Sequence, residues 1–231
     1  MDEGRVKMMN IKSLELCAND LIAQRDYYSQ VLELPVKLSA EALEVQAGET
    51  KLIFTQADAD FDGAYHFAFN IPENQFSAAK AWISQRIPLL HDEVGKDEFE
   101  SVSWNSNSVY FKDTAGNVLE FIARHNLKNA ISGEFDSGQI LNVSEIGLPS
   151  EDVIVFANEL CERLELTVFK QEPNATFTPV GNDNGLFILP IKDRIWIPNS
   201  GVPARLLPVN VKVDVDGKLW EIRGVPYELI G

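Results

Sequence analysis

The sequence has little cysteine, little histidine and a shortage of positive charge. Its 231 residues include 2 cysteines, Cys17 and Cys161, which are too few for a disulfide framework. The 20 lysines and arginines are outnumbered by 35 aspartates and glutamates, so the formal net charge is −15. Such a surface repels phosphate backbones and anionic lipids. These shortages argue against a secreted disulfide scaffold, a nucleic-acid-binding protein and a membrane-surface protein.

Long apolar runs are missing as well. No uninterrupted hydrophobic stretch approaches the length of a membrane span, and Met1–Arg5 lacks the basic-then-apolar pattern of a signal peptide. Hydrophobic residues nevertheless make up 45% of the chain, which is enough for a sizeable core. We therefore expect a cytoplasmic, soluble protein with reduced thiols, built as one large domain or two small ones.

What the sequence does contain is a strand–turn–strand segment with one unexplained carboxylate. Val109–Phe111 favours an extended chain, Asp113–Asn117 is turn chemistry, and Val118–Ile122 is a second strand that is apolar except for Glu120. Such a carboxylate either faces solvent on a one-sided sheet or faces a cleft, where it binds a metal ion or a proton. Alternation along the strand leaves both interpretations open.

Hydrophobic periodicity predicts strands and helices in alternation. Asp20 and Asp152 are helix N-cap signals, and His125–Gly138 has the polar, glycine-containing composition of a linker. The predicted helices are Leu21–Leu34, Asn74–Gln85 and Val153–Leu166, and the predicted strands are Ile11–Cys17, Ala42–Gln46, Lys51–Gln56, Tyr65–Ile71, Ser101–Phe111, Val118–Ala123, a short strand from Val143, Thr176–Val180, Leu186–Ile191, Leu207–Val213 and Lys218–Arg223.

The chain after the linker repeats the chain before it. A shift of 132 residues places Asp20 on Asp152 and aligns the leucines and glutamate of the first helix with those of the second. Gly116–Phe121 resembles Gly217–Ile222 at a smaller offset, so the second copy is shorter by about 30 residues. We predict a first module at 1–126, a linker at 127–141 and a second, shortened module at 142–231.

The repeated order of strand, helix and three strands resembles the βαβββ module of the vicinal oxygen chelate superfamily, which includes glyoxalase I, fosfomycin and bleomycin resistance proteins, and extradiol dioxygenases. The segments that carry the resemblance are Ser13–Leu21, Val31–Pro35, Tyr65–Ile71 and Val109–Phe121, whereas the likeness over 142–223 is weaker. The resemblance implies an α+β fold with two paired βαβββ modules, mainly antiparallel curved sheets and a cleft.

The same resemblance implies a metal site. The superfamily usually holds its metal with one ligand on an opening strand, a histidine on a middle strand and a glutamate on a closing strand. His66 matches the middle ligand and Glu120 the closing one, whereas the first opening strand has Ser13, a poor ligand, and the second has Glu145. We expect His66, Glu120 and Glu145 to be metal ligands, with Glu120 also the catalytic residue. Glu15, beside Ser13, is the alternative third ligand.

A mirror site is expected to be lost, because it would combine Ser13 with Glu221 and a position near Leu207. One imidazole and two carboxylates suit a divalent ion such as Zn²⁺, Mn²⁺, Fe²⁺ or Ni²⁺ and leave positions for substrate oxygens. His66 could instead be an ordinary hydrogen-bonded sheet histidine. Aromatic candidates for lining the cleft are Tyr65, Trp104, Trp196 and Trp220.

The leading functional hypothesis is a divalent-metal-dependent enzyme of the glyoxalase or dioxygenase type that acts on a small oxygen-rich molecule. Ring cleavage is the least expected activity, because a two-histidine, one-glutamate set is not found. The alternative is a metal-free protein that sequesters a small molecule, as bleomycin resistance proteins do, with an acidic cleft suited to a cationic guest. A degenerate module kept for protein contacts is a third possibility. Because two modules are fused, either a monomer or a homodimer is expected.

Overall fold

The computed structural model describes residues 7–231, and Met1–Arg5, on which the expectation about a signal peptide rests, lies outside them. Residues 7–231 form 14 strands and three α-helices. The strands are β1 (Met9–Ala18), β2 (Val36–Leu38), β3 (Ala42–Ala47), β4 (Thr50–Gln56), β5 (His66–Ile71), β6 (Phe99–Ser101), β7 (Ser106–Lys112), β8 (Val118–Arg124), β9 (Asn142–Gly147), β10 (Phe177–Asn182), β11 (Gly185–Pro190), β12 (Val209–Val215), β13 (Lys218–Gly224) and β14 (Glu228–Ile230). The helices are α1 (Leu21–Asp26), continued by a π-helical turn at Tyr27–Val31, α2 (Phe76–Ser84) and α3 (Val153–Leu164), with a 3₁₀ turn at Ser137–Gln139.

The strands of residues 7–231 divide into two seven-stranded sheets whose central strands are arranged alike. Sheet A has the order β14-β13-β12-β1-β4-β3-β2, and sheet B has the order β10-β11-β9-β5-β8-β7-β6. In sheet A, β1 is parallel to β4 and antiparallel to β12. In sheet B, β5 is likewise parallel to β8 and antiparallel to β9. The predicted α+β fold with paired βαβββ units is confirmed.

The number of units differs from the prediction. The order strand, helix, three strands occurs twice before the linker, as β1–β4 with α1 and as β5–β8 with α2, so 1–126 contains two units and not one. Strands β2 and β6 have only three residues each, which is too short for a period-two pattern to reveal them. After the linker, α3 is followed by β10 and β11, and β12–β14 have no helix. The limits 1–126, 127–141 and 142–231 stay predictions.

One face of each sheet packs into a common core. Leu14 and Leu16 of β1 are buried, whereas Ser13 and Glu15 between them are partly exposed, as the alternation predicts. Phe67, Phe69 and Phe121 of sheet B belong to the same core, as do Phe135 and Ile140 of the predicted linker. The opposite face of each sheet is therefore free to carry polar residues.

The helices begin where the N-cap signals predict. The Oδ1 atom of Asp20 accepts hydrogen bonds from the backbone N–H groups of Ile22 and Ala23, both at 2.9 Å, and Asp152 caps α3 through Val155 at 3.0 Å. Within residues 7–231, no helix has the length and hydrophobicity needed to cross a membrane.

Candidate metal centre

The turn between β7 and β8 is anchored by a buried aspartate. The carboxylate of Asp113 accepts hydrogen bonds from the side chains of Gln24 (3.0 Å), Tyr28 (3.1 Å) and Asn117 (2.8 Å), and from the backbone of Ala115 and Asn117 (both 3.0 Å). Burial raises the pKa of Asp113, and these hydrogen bonds oppose that shift. The predicted turn is therefore also a joint between α1 and sheet B, and it determines where β8 starts.

Strand β8 then places Glu120 beside β5. Ala68 of β5 pairs with Glu120 on one side and with Glu145 of β9 on the other. Because the alanine side chain is small, both carboxylates have room above it. His66 precedes Ala68 by two residues and therefore shares its face. The three predicted ligands offer donor atoms that all lie within 4.8 Å of one another, and all three side chains are buried.

The imidazole of His66 is held in a form that can bind a metal ion. Its Nδ1 lies 3.0 Å from the carbonyl oxygen of Val118, and because a carbonyl only accepts, Nδ1 carries the hydrogen. Nε2 is therefore left with its lone pair, 3.7 Å from Oε2 of Glu120. Burial lowers the pKa of His66 to about 4, so the ring is neutral at pH 7.

The site disfavours negative charge on both of its glutamates. Burial and the charge of Glu145 together raise the pKa of Glu120 to about 8, against hydrogen bonds from Ser108 and Tyr110. Burial also raises the pKa of Glu145, although the charge of Arg124 opposes that shift. A divalent ion would relieve both desolvated carboxylates, so the donor set fits such an ion.

Sequence analysis missed Arg124. Its guanidinium is completely buried; Nη2 donates to Oε1 of Glu145 and Nε donates to Oδ1 of Asn70 at 3.1 Å. Strand alternation was the available signal, because Glu120, Ile122 and Arg124 share one face of β8. At the end of a strand an arginine is ordinarily solvated, and only the pairing of β5 with β9 brings Glu145 within its reach.

The three candidate ligands line a cavity of about 390 Å³. Five aromatic side chains contribute to its walls, and the ring of Trp196 lies 4.8 Å from that of His66. The aromatic lining residues are Phe99, Trp104, Tyr110, Phe177 and Trp196. Trp196 belongs to the loop between β11 and β12. Of the other predicted aromatic candidates, Tyr65 lies in the core and donates to the carbonyl of Pro208, and Trp220 stacks under Lys218 on sheet A.

The remaining predicted positions lie in sheet A. Ser13 pairs with Lys51 on one side and Lys212 on the other, and Glu15 lies two residues further along β1. Glu221 of β13 pairs with Lys212 of β12. The structure therefore does not bring Glu15 to His66, whereas Ser13 and Glu221 both pair with Lys212 in sheet A, where the lost mirror site was expected. Two short units had been merged into one, which placed β1 and β5 in a single sheet.

The paired βαβββ units give the chain the fold of the vicinal oxygen chelate superfamily, as the sequence resemblance implied. No protein-family model matches the chain, and no curated protein matches it. Among solved structures, it is similar to a proposed dioxygenase from Bacillus subtilis, with 15% identity over 93% of this chain and 69% of that one, and a TM-score of 0.58.

Shorter structures match about half of the chain. A lactoylglutathione lyase from Agrobacterium tumefaciens is 26% identical over 48% of this chain and 91% of that one, with a TM-score of 0.40. A fosfomycin resistance protein from Listeria monocytogenes, complexed with Mn(II) and 1S,2S-dihydroxypropylphosphonic acid, is 17% identical over 54% of this chain and 92% of that one, with a TM-score of 0.38. The fold of this chain is thus shared over nearly its whole length with the Bacillus protein.

Proposed function

We propose that the chain is a divalent-metal-dependent enzyme of the glyoxalase or dioxygenase type that acts on a small molecule in the cavity of sheet B. The observation that carries the proposal is the convergence of His66, Glu120 and Glu145, whose donor atoms lie within 4.8 Å of one another at a cavity of about 390 Å³. When bound, the ion would supply Lewis-acid stabilisation of negative charge on a substrate oxygen.

The residues of the chain have separate tasks in this proposal. The hydrogen bond to Val118 orients His66, so that Nε2 is the ligand atom. Glu120 is the catalytic residue as well as a ligand in this proposal, because its carboxylate lines the cavity and lies 3.7 Å from Nε2 of His66, where a substrate bound at the ion would be within its reach. The aromatic walls exclude water and bind the apolar body of the substrate.

Metal analysis tests the proposal. The protein is stripped with a chelator, dialysed against Zn²⁺, Mn²⁺, Fe²⁺ or Ni²⁺ under conditions that keep iron reduced, and its bound metal is measured by mass spectrometry. We expect stoichiometric binding by the wild type and its loss in Glu120→Ala, because a three-ligand site loses a charged ligand. Glu221→Ala in sheet A is the matched control and should bind as the wild type does. Substoichiometric metal that is indifferent to Glu120→Ala would contradict the proposal.

A metal-free binding protein is the second candidate. The observation that favours it is the combination of acidic and aromatic residues in one cavity, because Glu100, Glu120 and Glu145 lie beside five aromatic rings. Such a lining suits a cationic aromatic guest. Calorimetric titration of the metal-stripped protein with bleomycin checks this candidate, since binding that persists without metal and in His66→Ala would favour it.

The oligomeric state and the cytoplasmic location stay predictions. All three proposed ligands come from one chain, so we expect a monomer to bind the ion. Light scattering with and without metal checks this, and metal binding that occurs only in a dimer would count against an intrachain site.

A further inference from the structure

Arg124 is completely buried, and its neighbours hold it in one place. Nε donates to Oδ1 of Asn70 at 3.1 Å, and Nη2 donates to Oε1 of Glu145. The rings of Trp104 and Phe169 lie 5.6 and 5.8 Å from its Cζ atom. A guanidinium fixed on several sides is a rigid donor, so it fixes the carboxylate that it binds.

The charge of Arg124 is directed mainly to Glu145. The other nearby carboxylate, Asp183, has its Oδ1 4.0 Å from Nη1 of Arg124, but the same oxygen accepts from Nζ of Lys170 at 3.1 Å. Nη1 itself has no hydrogen-bond partner among residues 7–231. Asp183 is thus balanced by Lys170 at the surface, and the buried guanidinium offsets Glu145.

This ion pair changes the charge of the proposed metal site. An imidazole that binds an ion through Nε2 and donates from Nδ1 is neutral, Glu120 and Glu145 are both carboxylates when they bind an ion, and Arg124 cancels one of their two charges. A divalent ion would therefore leave one net positive charge in an aromatic cavity. An isolated charge in such a cavity is costly, and an anion entering the cavity relieves the cost.

We propose that Arg124 is a positioning residue that holds Glu145 through Oε1 and leaves the loaded site with one net positive charge, so that the site selects a substrate with an anionic oxygen and an apolar body. This inference rests on the proposed function. It concerns the charge of the substrate, which the three ligands alone do not determine.

The test compares a monoanion with a neutral ligand on the Co²⁺-loaded protein. Azide and imidazole are titrated at saturating Co²⁺, and binding is followed by the visible absorption of the ion. We expect Arg124→Met to weaken azide binding by about 10- to 100-fold, because one positive charge a few ångströms away is removed. Imidazole binding should stay within about twofold, because a neutral ligand is indifferent to that charge. Arg124→Lys keeps the charge and should restore most of the azide affinity.

A second pair of variants keeps the inference testable where Arg124→Met fails to fold. Glu145→Gln removes one negative charge and should strengthen azide binding relative to imidazole. The double variant Arg124→Met/Glu145→Gln removes both members of the buried ion pair, a change that proteins commonly tolerate, and should return azide affinity close to that of the wild type. Equal azide-to-imidazole ratios in all folded variants would overturn the inference. Failure of the wild type to bind Co²⁺ would instead overturn the proposed function.

Discussion

Sheets A and B share their strand pairing except that β9 and β11 are parallel whereas β12 and β13 are antiparallel, but the faces that point away from the common core differ in chemistry. In sheet B the central positions are Glu120, Ala68 and Glu145, in one row across three strands. In sheet A the row through Ser13 consists of Lys51, Ser13 and Lys212, and both lysines are exposed. The central strands therefore offer a similar surface twice, and a few residues on the face away from the core decide which sheet can bind a metal ion.

The sheets also differ in whether a loop covers the face that points away from the core. The loop between β11 and β12 lays Trp196 over His66, so that the polar face of sheet B becomes the base of a cavity. Polar groups on the open face of sheet A remain hydrated, whereas those on the covered face of sheet B are desolvated. Desolvation raises the pKa of Glu120, which therefore binds a proton more tightly, and lowers that of His66, whose ring therefore stays neutral and able to bind a metal ion.

The largest expected effect on stability concerns the turns that precede β8 in sheet B and β13 in sheet A. Asp113→Ala in sheet B should lower the free energy of unfolding by about 3–5 kcal/mol, because five donors lose their acceptor in a buried site. The matched change in sheet A, Asp214→Ala, removes one 2.8 Å hydrogen bond from the backbone of Gly217 and should cost under about 1 kcal/mol. Urea denaturation measures both, and equal losses would show that the Asp113 network does not organise sheet B.

Substitution of Gly147 tests whether Trp196, in the loop between β11 and β12, packs on sheet B. A Cβ atom at Gly147 would lie 2.5 Å from Cη2 of Trp196, so Gly147→Ala should displace the indole and cost about 1–3 kcal/mol. The loss should be small when Trp196 is already replaced by alanine, since the clash is then absent. A double-mutant cycle measured by urea denaturation checks the coupling. Additive losses in the double variant would mean that the ring does not rest on sheet B.

The smallest expected effect is the pH dependence of metal-free stability. Folding raises the pKa of Glu120 to about 8, so between about pH 5 and pH 8 the folded chain binds a proton that the unfolded chain has released. Stability from this group is therefore present at low pH and is lost as the pH rises through 8. From pH 6.5 to 8 the wild type should lose about 1–2 kcal/mol relative to Glu120→Gln.

Above pH 6.5, the change of stability with pH reports on Glu120 and hardly on His66. Folding lowers the pKa of His66 to about 4, so its contribution rises with pH and is nearly complete by pH 6.5. Glu221→Gln in sheet A is the control and should follow the wild type through the window. Chelator-treated protein in urea at each pH supplies the data, and parallel curves for wild type and Glu120→Gln would contradict the buried state of Glu120.

Local features were the most predictable part of the fold. The N-caps at Asp20 and Asp152, the turn at Asp113–Asn117 and the alternation in β1 all follow from nearest-neighbour chemistry, and the structure has each of them. The number of βαβββ units was not predictable, because three-residue strands carry too little pattern. Their assignment to two sheets depends on pairing partners far away in the chain.

Some residues of the candidate site could likewise be predicted from the sequence, and others could not. His66, Glu120 and Glu145 could be chosen from the sequence, because a resemblance to paired βαβββ proteins gave each strand a role. Trp104 and Trp196 could likewise be named as cleft-lining candidates, but the position of Trp196 over His66 could not be foreseen. Arg124 was missed, because its partner Glu145 comes from a strand on the other side of the linker.

By itself the sequence determined the type of each local element and which residues share a strand face, since these depend on a few neighbouring residues. It also identified Glu120 as the one charged residue of an apolar strand, which needs a partner only if its face is buried. Only the tertiary structure decided that one sheet became a desolvated site while the other stayed open. Burial, ion pairing and pKa depend on distances between residues that are remote in the chain, and those distances exist only once β5, β8 and β9 have paired.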